Sequence, residues 1–104
     1  MGYKFGKTSK RRAEGVYEPL FNCATRALAR SRYDMKIEWR GGLRTAEQQK
    51  ELFDAGNSKA DGYEKLSYHQ SGFAIDVVPV NKDSNNRAYN HFAKLMFQEW
   101  QKMC

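Results

Sequence analysis

A chain of 104 residues with 40% hydrophobic and 13% aromatic content is enough for one compact domain with a core and is not the composition of a disordered segment. Its apolar runs are too short to cross a bilayer, and the basic stretch Met1 to Gly15 has no apolar segment behind it, so neither a membrane span nor a secretory signal is read. The net charge of +6 suits an anionic partner such as a cell-wall polymer, a membrane surface or nucleic acid, but Lys and Arg are scattered apart from Lys10-Arg11-Arg12, which reads more simply as a solvated helix face.

Ser9 can cap a first short helix that ends near Gly15. From Val16, apolar or small residues recur at Leu20, Cys23, Ala24, Ala27, Leu28 and Ser31, the stripe of an amphipathic helix with Pro19 in its first turn. Cys23 lies on that stripe as a buried thiol, and Cys104 ends the chain; both are expected to be reduced. Met35 to Arg40 alternates apolar and charged, as a strand with one wet face does. Gly41-Gly42 breaks it. Thr45-Ala46-Glu47-Gln48 is a capping-box pattern that opens another helix, with Leu52 and Phe53 as anchors and Gly56-Asn57 as its stop. A polar loop from 58 to 69 precedes a strand from Phe73 to Val80. A turn-rich link at 81–86 leads to a last helix, with Tyr89, Phe92, Ala93, Met96, Phe97 and Trp100 at helical spacing. The expected class is α+β, helices packed on a small antiparallel sheet, in a single domain over residues 1–104.

Within the second strand, Asp76 interrupts the run Phe73 to Val78. A carboxylate there is costly unless something positive meets it. Strand alternation turns Asp76 away from Phe73, Ile75 and Val77. His69 lies seven residues upstream, and Gly72 between them can take a positive φ that folds the imidazole back toward the carboxylate. One nitrogen and one oxygen donor meeting at a sheet edge suit Zn²⁺, although a bare His–Asp pair can also satisfy itself by hydrogen bonding.

The full pattern Ser67-x-His69-x-x-Gly72-x-Ala74-x-Asp76 resembles the signature of the zinc D-Ala-D-Ala carboxypeptidase and dipeptidase family. Gly42-Leu43-Arg44-Thr45, with Gln48 and Gln49 nearby, looks like that family's G-x-R-[ST]-x-x-x-Q segment. Tyr3-Lys4-Phe5-Gly6-Lys7 with Ser9, and Gly15-Val16-Tyr17-Glu18-Pro19-Leu20, are similar to the branch of phage endolysins that are L-alanyl-D-glutamate peptidases. The resemblance implies a Hedgehog/D,D-peptidase-type fold and hydrolysis of the peptidoglycan stem peptide. It implies His69 and Asp76 as two of three Zn²⁺ ligands and Arg44 as a catalytic positive charge over the scissile carbonyl. Ser67 would help hold substrate or orient the ligand loop, and Gln48 would contact substrate, with helix capping as its other reading. The chain would wait in the host cytoplasm until lysis, with no membrane or nucleic-acid partner.

The resemblance also implies a third zinc ligand, a histidine, and an acidic general base on a C-terminal strand that this sequence does not supply. His91, set off the apolar stripe, should face solvent, and Glu99 is poorly placed as a base. The reading therefore expects weak metal binding, little turnover, and a dimer or partner chain if another polypeptide lends the strand. The alternatives are a non-catalytic wall-binding or vestigial module and a small basic nucleic-acid binder. Asp61 to Lys65 reads as extra loop material.

Overall fold

The computed structural model describes residues 2–81 and 85–103, the last segment beginning with backbone only at 85. Cys104 and the middle of the link at 81–86 lie outside these residues. The elements run α1 (Lys7–Arg12), α2 (Glu18–Arg30), β1 (Met35–Ile37), α3 (Ala46–Asp54), a short 3₁₀ helix (Tyr68–Ser71), β2 (Val77–Pro79) and α4 (Asn85–Met103). The α+β expectation holds: β1 and β2 form a two-stranded antiparallel sheet, with Met35 opposite Pro79, Lys36 opposite Val78 and Ile37 opposite Val77.

Both strands are shorter than their patterns suggest. Met35 and Ile37 are buried, but the chain turns at Glu38–Gly41 and leaves Trp39 exposed. Phe73 is likewise exposed, and ladder geometry begins only around Asp76, whose backbone N–H donates to Gly41 O at 2.7 Å and whose carbonyl accepts from Glu38 N at 3.0 Å. Alternation in sequence marks which side chains can share a face; it does not say how far a partner strand reaches.

Ser9 is not a cap. Gly6 takes that position, and Ser9 is buried inside α1, where its Oγ accepts from Ile37 N at 3.1 Å. Arg12 Nη1 donates to Ile37 O at 3.0 Å. Two side chains of α1 thus satisfy both backbone groups that Ile37 turns away from β2, and α1 covers the outer edge of the sheet.

The α2 stripe is as read: Cys23, Ala24, Ala27 and Leu28 are buried, and Cys23 Sγ donates to Met96 O at 3.3 Å. Small residues there let α4 approach closely. The core joins Ala24, Ala27 and Leu28 to Met35, Ile37, Ala88, Phe92 and Leu95. On α4 the buried face therefore differs from the expected one. Ala88, Phe92, Leu95 and Glu99 point inward, whereas Tyr89, Phe97 and Trp100 are exposed. Glu99 is tolerated inside because Arg30 Nη1 and Lys102 Nζ both bond its Oε2, and these two cations, Lys102 first, hold its carboxyl below the usual range. His91 does not simply face solvent: its Nε2 accepts from Arg32 N at 3.2 Å and its ring packs edge-on to Tyr33.

Candidate active site

Two capping boxes position the site. Thr45 Oγ1 accepts from Gln48 N and Gln48 Oε1 accepts from Thr45 N, starting α3 immediately after Arg44. Ser67 and Gln70 repeat the arrangement around the 3₁₀ helix: Ser67 Oγ accepts from His69 N at 3.2 Å, and Gln70 Oε1 accepts from Ser67 N at 2.9 Å. Each closes orphan N–H groups locally and orients the residue beside it. Gly72 then ends the turn at φ 79°, and a Cβ on it would lie 2.5 Å from Gly15 O, so both backbone conformation and space call for glycine.

The reversal at Gly72 brings His69 and Asp76 together. His69 is buried; its Nδ1 lies 2.9 Å from Gly42 O, and its Nε2 lies 3.4 Å from Asp76 Oδ1. Because a carbonyl only accepts, Nδ1 carries a proton toward Gly42 O, and Nε2 is the ring nitrogen that faces Asp76. Asp76 Oδ2 accepts from Arg44 Nη2 at 2.9 Å, which leaves Oδ1 directed at the imidazole. Two electron-rich atoms thus face each other and require a proton or a cation between them. The His69 contact is the largest influence holding Asp76 below the ordinary carboxylate range; Arg44 adds to it, and partial burial opposes both. Burial lowers the Arg44 pKa, and the Asp76 carboxylate opposes that shift without cancelling it.

His69 Nε2 and Asp76 Oδ1 are a nitrogen and an oxygen donor of the types zinc accepts, two of the three that a catalytic site normally has. Two ligands each bound at ~2.0–2.1 Å to one tetrahedral ion stand about 3.3 Å apart. That is close to the observed 3.4 Å between Nε2 and Oδ1. The Nδ1–H to Gly42 O bond is of the kind that sets the tautomer where a histidine binds a metal. Among the described residues, no group of three or more His, Cys, Asp or Glu side chains is gathered to hold an ion.

Arg44 is the hub on the other side. Its Nε donates to Arg40 O at 2.6 Å and its Nη1 to Gln49 Oε1 at 3.0 Å, while its backbone N–H donates to His69 O at 3.0 Å. Three of its five side-chain N–H groups are committed, and two remain outside these bonds.

A family model described as phage L-alanyl-D-glutamate peptidase matches residues 1–104. The chain belongs to this peptidase family. No curated protein matches it. Its fold is that of a solved structure, the Serratia marcescens L-Ala D-Glu endopeptidase ChiX, with a TM-score of 0.78 and 24% identity over 97% of this chain and 74% of that one.

The peptidase-family motif beginning at Gly42 also identifies a residue passed over above. Counted from Arg44, the pattern's glutamine falls on Gln49, not Gln48. Gln49 is fully buried; besides receiving Arg44 it donates through Nε2 to Ser58 Oγ and Ala60 O, both at 2.8 Å. It is the only buried residue of α3, while Leu52 is half-buried and Phe53 is exposed beneath Lys50. Gln48 has its Oε1 in the cap and lines a cleft outside the His69–Asp76 pair. Ser67 contacts the ligand loop through its cap, and the same S-x-x-Q signal was there to be read at Ser67 to Gln70.

The loop from Asn57 to Leu66 is ordered by its own polar groups. Asp61 Oδ1 accepts from the N–H groups of Tyr63, Glu64 and Lys65 at 2.9–3.1 Å, which lowers the Asp61 pKa. Gln70 Nε2 donates to Gly62 O at 2.9 Å, tying this loop to the one carrying His69. No helix among the described residues is long and apolar enough to cross a membrane.

Proposed function

We propose that this chain acts on the L-Ala–D-Glu bond of peptidoglycan stem peptides, as a phage endolysin with a divalent cation, Zn²⁺, held between His69 Nε2 and Asp76 Oδ1. The observation that carries the metal is the 3.4 Å convergence of those two atoms, with Nδ1 already committed to Gly42 O. Family membership supports the substrate. Bound there, the ion supplies Lewis acidity at the scissile carbonyl and makes a water nucleophilic near neutral pH.

The chain's own residues do the positioning. Gly42 O keeps the imidazole in the tautomer that leaves Nε2 unprotonated. Arg44 keeps Asp76 ionised and turns its Oδ1 inward, and its uncommitted N–H groups are available to a carbonyl oxygen as negative charge develops on it. Gln49 holds Arg44 in place. Catalytic zinc normally has three protein ligands and a water, so two donors bind weakly and turnover depends on a further donor. An endolysin read this way stays in the host cytoplasm until lysis, and its positive charge favours an anionic wall.

Calorimetric titration with Zn²⁺, paired with a release assay on purified peptidoglycan, tests the proposal. The parent chain is expected to bind one zinc, and His69→Ala and Asp76→Ala each to abolish that binding. Zinc binding that survives both substitutions removes the metal assignment. Wall binding without zinc-dependent release turns the reading into a non-catalytic wall module.

A further inference from the structure

Among the described residues, Arg40 is the one non-glycine with a positive φ, at 57°. A left-handed backbone is unfavourable for a residue with a side chain, because Cβ crowds the following carbonyl. Such strain persists only where the surroundings enforce it, and strained positions gather at functional sites. The surroundings of Arg40 enforce it from two sides. Its guanidinium is paired with Glu51 on α3 and stacks 4.2 Å from the centre of the Trp39 ring. The next residue closes the turn: Gly41 N donates to Glu38 O and Gly41 O accepts from Asp76 N, both at 2.7 Å.

The carbonyl is where this conformation matters. Arg40 O accepts from Arg44 Nε at 2.6 Å, the shortest of the three bonds that the Arg44 guanidinium makes. Nη1 and Nη2 go to Gln49 Oε1 at 3.0 Å and Asp76 Oδ2 at 2.9 Å. Two anchor points leave a planar group free to pivot about the line joining them, and a third fixes the plane. Arg40 O is that third point. The N–H groups left over lie in the same plane, so whatever fixes the plane fixes where they aim. An extended or right-handed backbone at Arg40 would turn its carbonyl elsewhere. Helix α3 therefore holds Arg44 twice, directly through Gln49 and through Glu51 by way of Arg40.

We infer that Arg40 is a positioning residue for Arg44. Its left-handed backbone, held by Glu51 and Trp39, delivers the carbonyl that fixes the Arg44 plane and aims the remaining N–H groups at a substrate carbonyl. The link to turnover rests on the function proposed above.

The test compares two substitutions that both remove the side-chain ties. Glycine adopts a φ near that of Arg40 without strain, whereas valine is among the residues least able to. The Arg44 Nε–Hε NMR signal of the full chain in EDTA reports the bond to Arg40 O through its chemical shift and its exchange with water. Arg40→Val should move the shift and speed exchange roughly tenfold, as loss of one hydrogen bond implies. Arg40→Gly should keep the parent's shift, with an exchange rate between the two. Glu51→Gln, which leaves the backbone of the turn intact, should speed exchange by a smaller factor. If amide spectra show that Arg40→Val has not folded, the milder Arg40→Ala takes its place. Equal shifts in the glycine and valine variants, or a parental signal in Arg40→Val, would overturn the inference. On a soluble L-Ala–D-Glu stem peptide with Zn²⁺, Arg40→Val should lower kcat about tenfold with KM little changed, and Arg40→Gly should recover most of it, because the aimed N–H groups act only as charge develops. A raised KM with kcat intact overturns the link to turnover. A parent chain that shows the ordered Nε–Hε signal but cleaves nothing sinks the proposed function, while the signal still decides the place of Arg40.

Discussion

The loop from Ser67 to Asp76 and the C-terminal helix α4 are held by different physics. In the loop, short directional bonds fix each side chain: a cap at Ser67, the Gly42 carbonyl at His69, the Arg44 guanidinium at Asp76. In α4, apolar packing fixes one face, and another apolar face is left in solvent. Phe92 is 4% exposed and Phe97 63%, although both are aromatic and lie on one helix. Directional bonds specify an orientation residue by residue, whereas burial specifies only a side of a helix.

The largest expected effect tests the packing half of this contrast. Phe92→Ala should cost about 3–5 kcal/mol, read as a lower denaturant midpoint at unchanged slope. It should leave any zinc affinity of the folded fraction as it was. A Phe92→Ala protein with parental stability would mean that α4 is not seated as described. Next is Gln49→Ala, which strands Arg44 Nη1, Ser58 Oγ and the Ala60 carbonyl. Roughly 1–3 kcal/mol of stability should go. Zinc affinity should fall with it, because Arg44 no longer holds Asp76; a loss of stability alone would separate the two roles.

Glu99→Gln gives a smaller, pH-dependent change. The Glu99 carboxyl is lowered in the folded chain by Lys102 and Arg30, so its contribution is present above the unfolded value of about 4.3 and is lost as pH falls through the folded one. The stability gap between parent and variant should be greatest near neutrality and close in acid; a gap that widens in acid contradicts the assignment. The smallest change is expected for Phe97→Ser, within about 0.5 kcal/mol of the parent by thermal melting. If Phe97→Ser costs as much as Phe92→Ala, the exposed face of α4 is covered in solution.

The same contrast explains what could be read from residues alone. Thr45 to Gln48 was legible as a cap because capping is a short-range rule with a fixed spacing. The approach of His69 to Asp76 was legible because Gly72 can take the positive φ that reverses the chain between them. The α4 face was misassigned because that helix carries two apolar stripes, and only its partners decide which is buried: Ala88, Leu95 and a charge-neutralised Glu99 outcompeted Tyr89 and Trp100. Ser9 reads as a cap from its type, but its hydroxyl meets a strand 28 residues away. Gln49 was legible from the G-x-R-[ST]-x-x-x-Q spacing counted from Gly42, whereas its burial, set by Ser58 and Ala60 in a separate loop, was not.

Hydrogen bonds that pin His69 and Asp76 from behind have a consequence for the proposed ion capture. The conformational entropy of ordering those two donors is spent during folding, so association with a cation needs little rearrangement. The backbone around 67–76 should therefore keep almost the same amide chemical shifts before and after loading, with changes confined to the imidazole and carboxylate. Selectivity among divalent ions would then follow how well each fits a fixed pair of donors, because the loop has little freedom to adjust to an ion of another size.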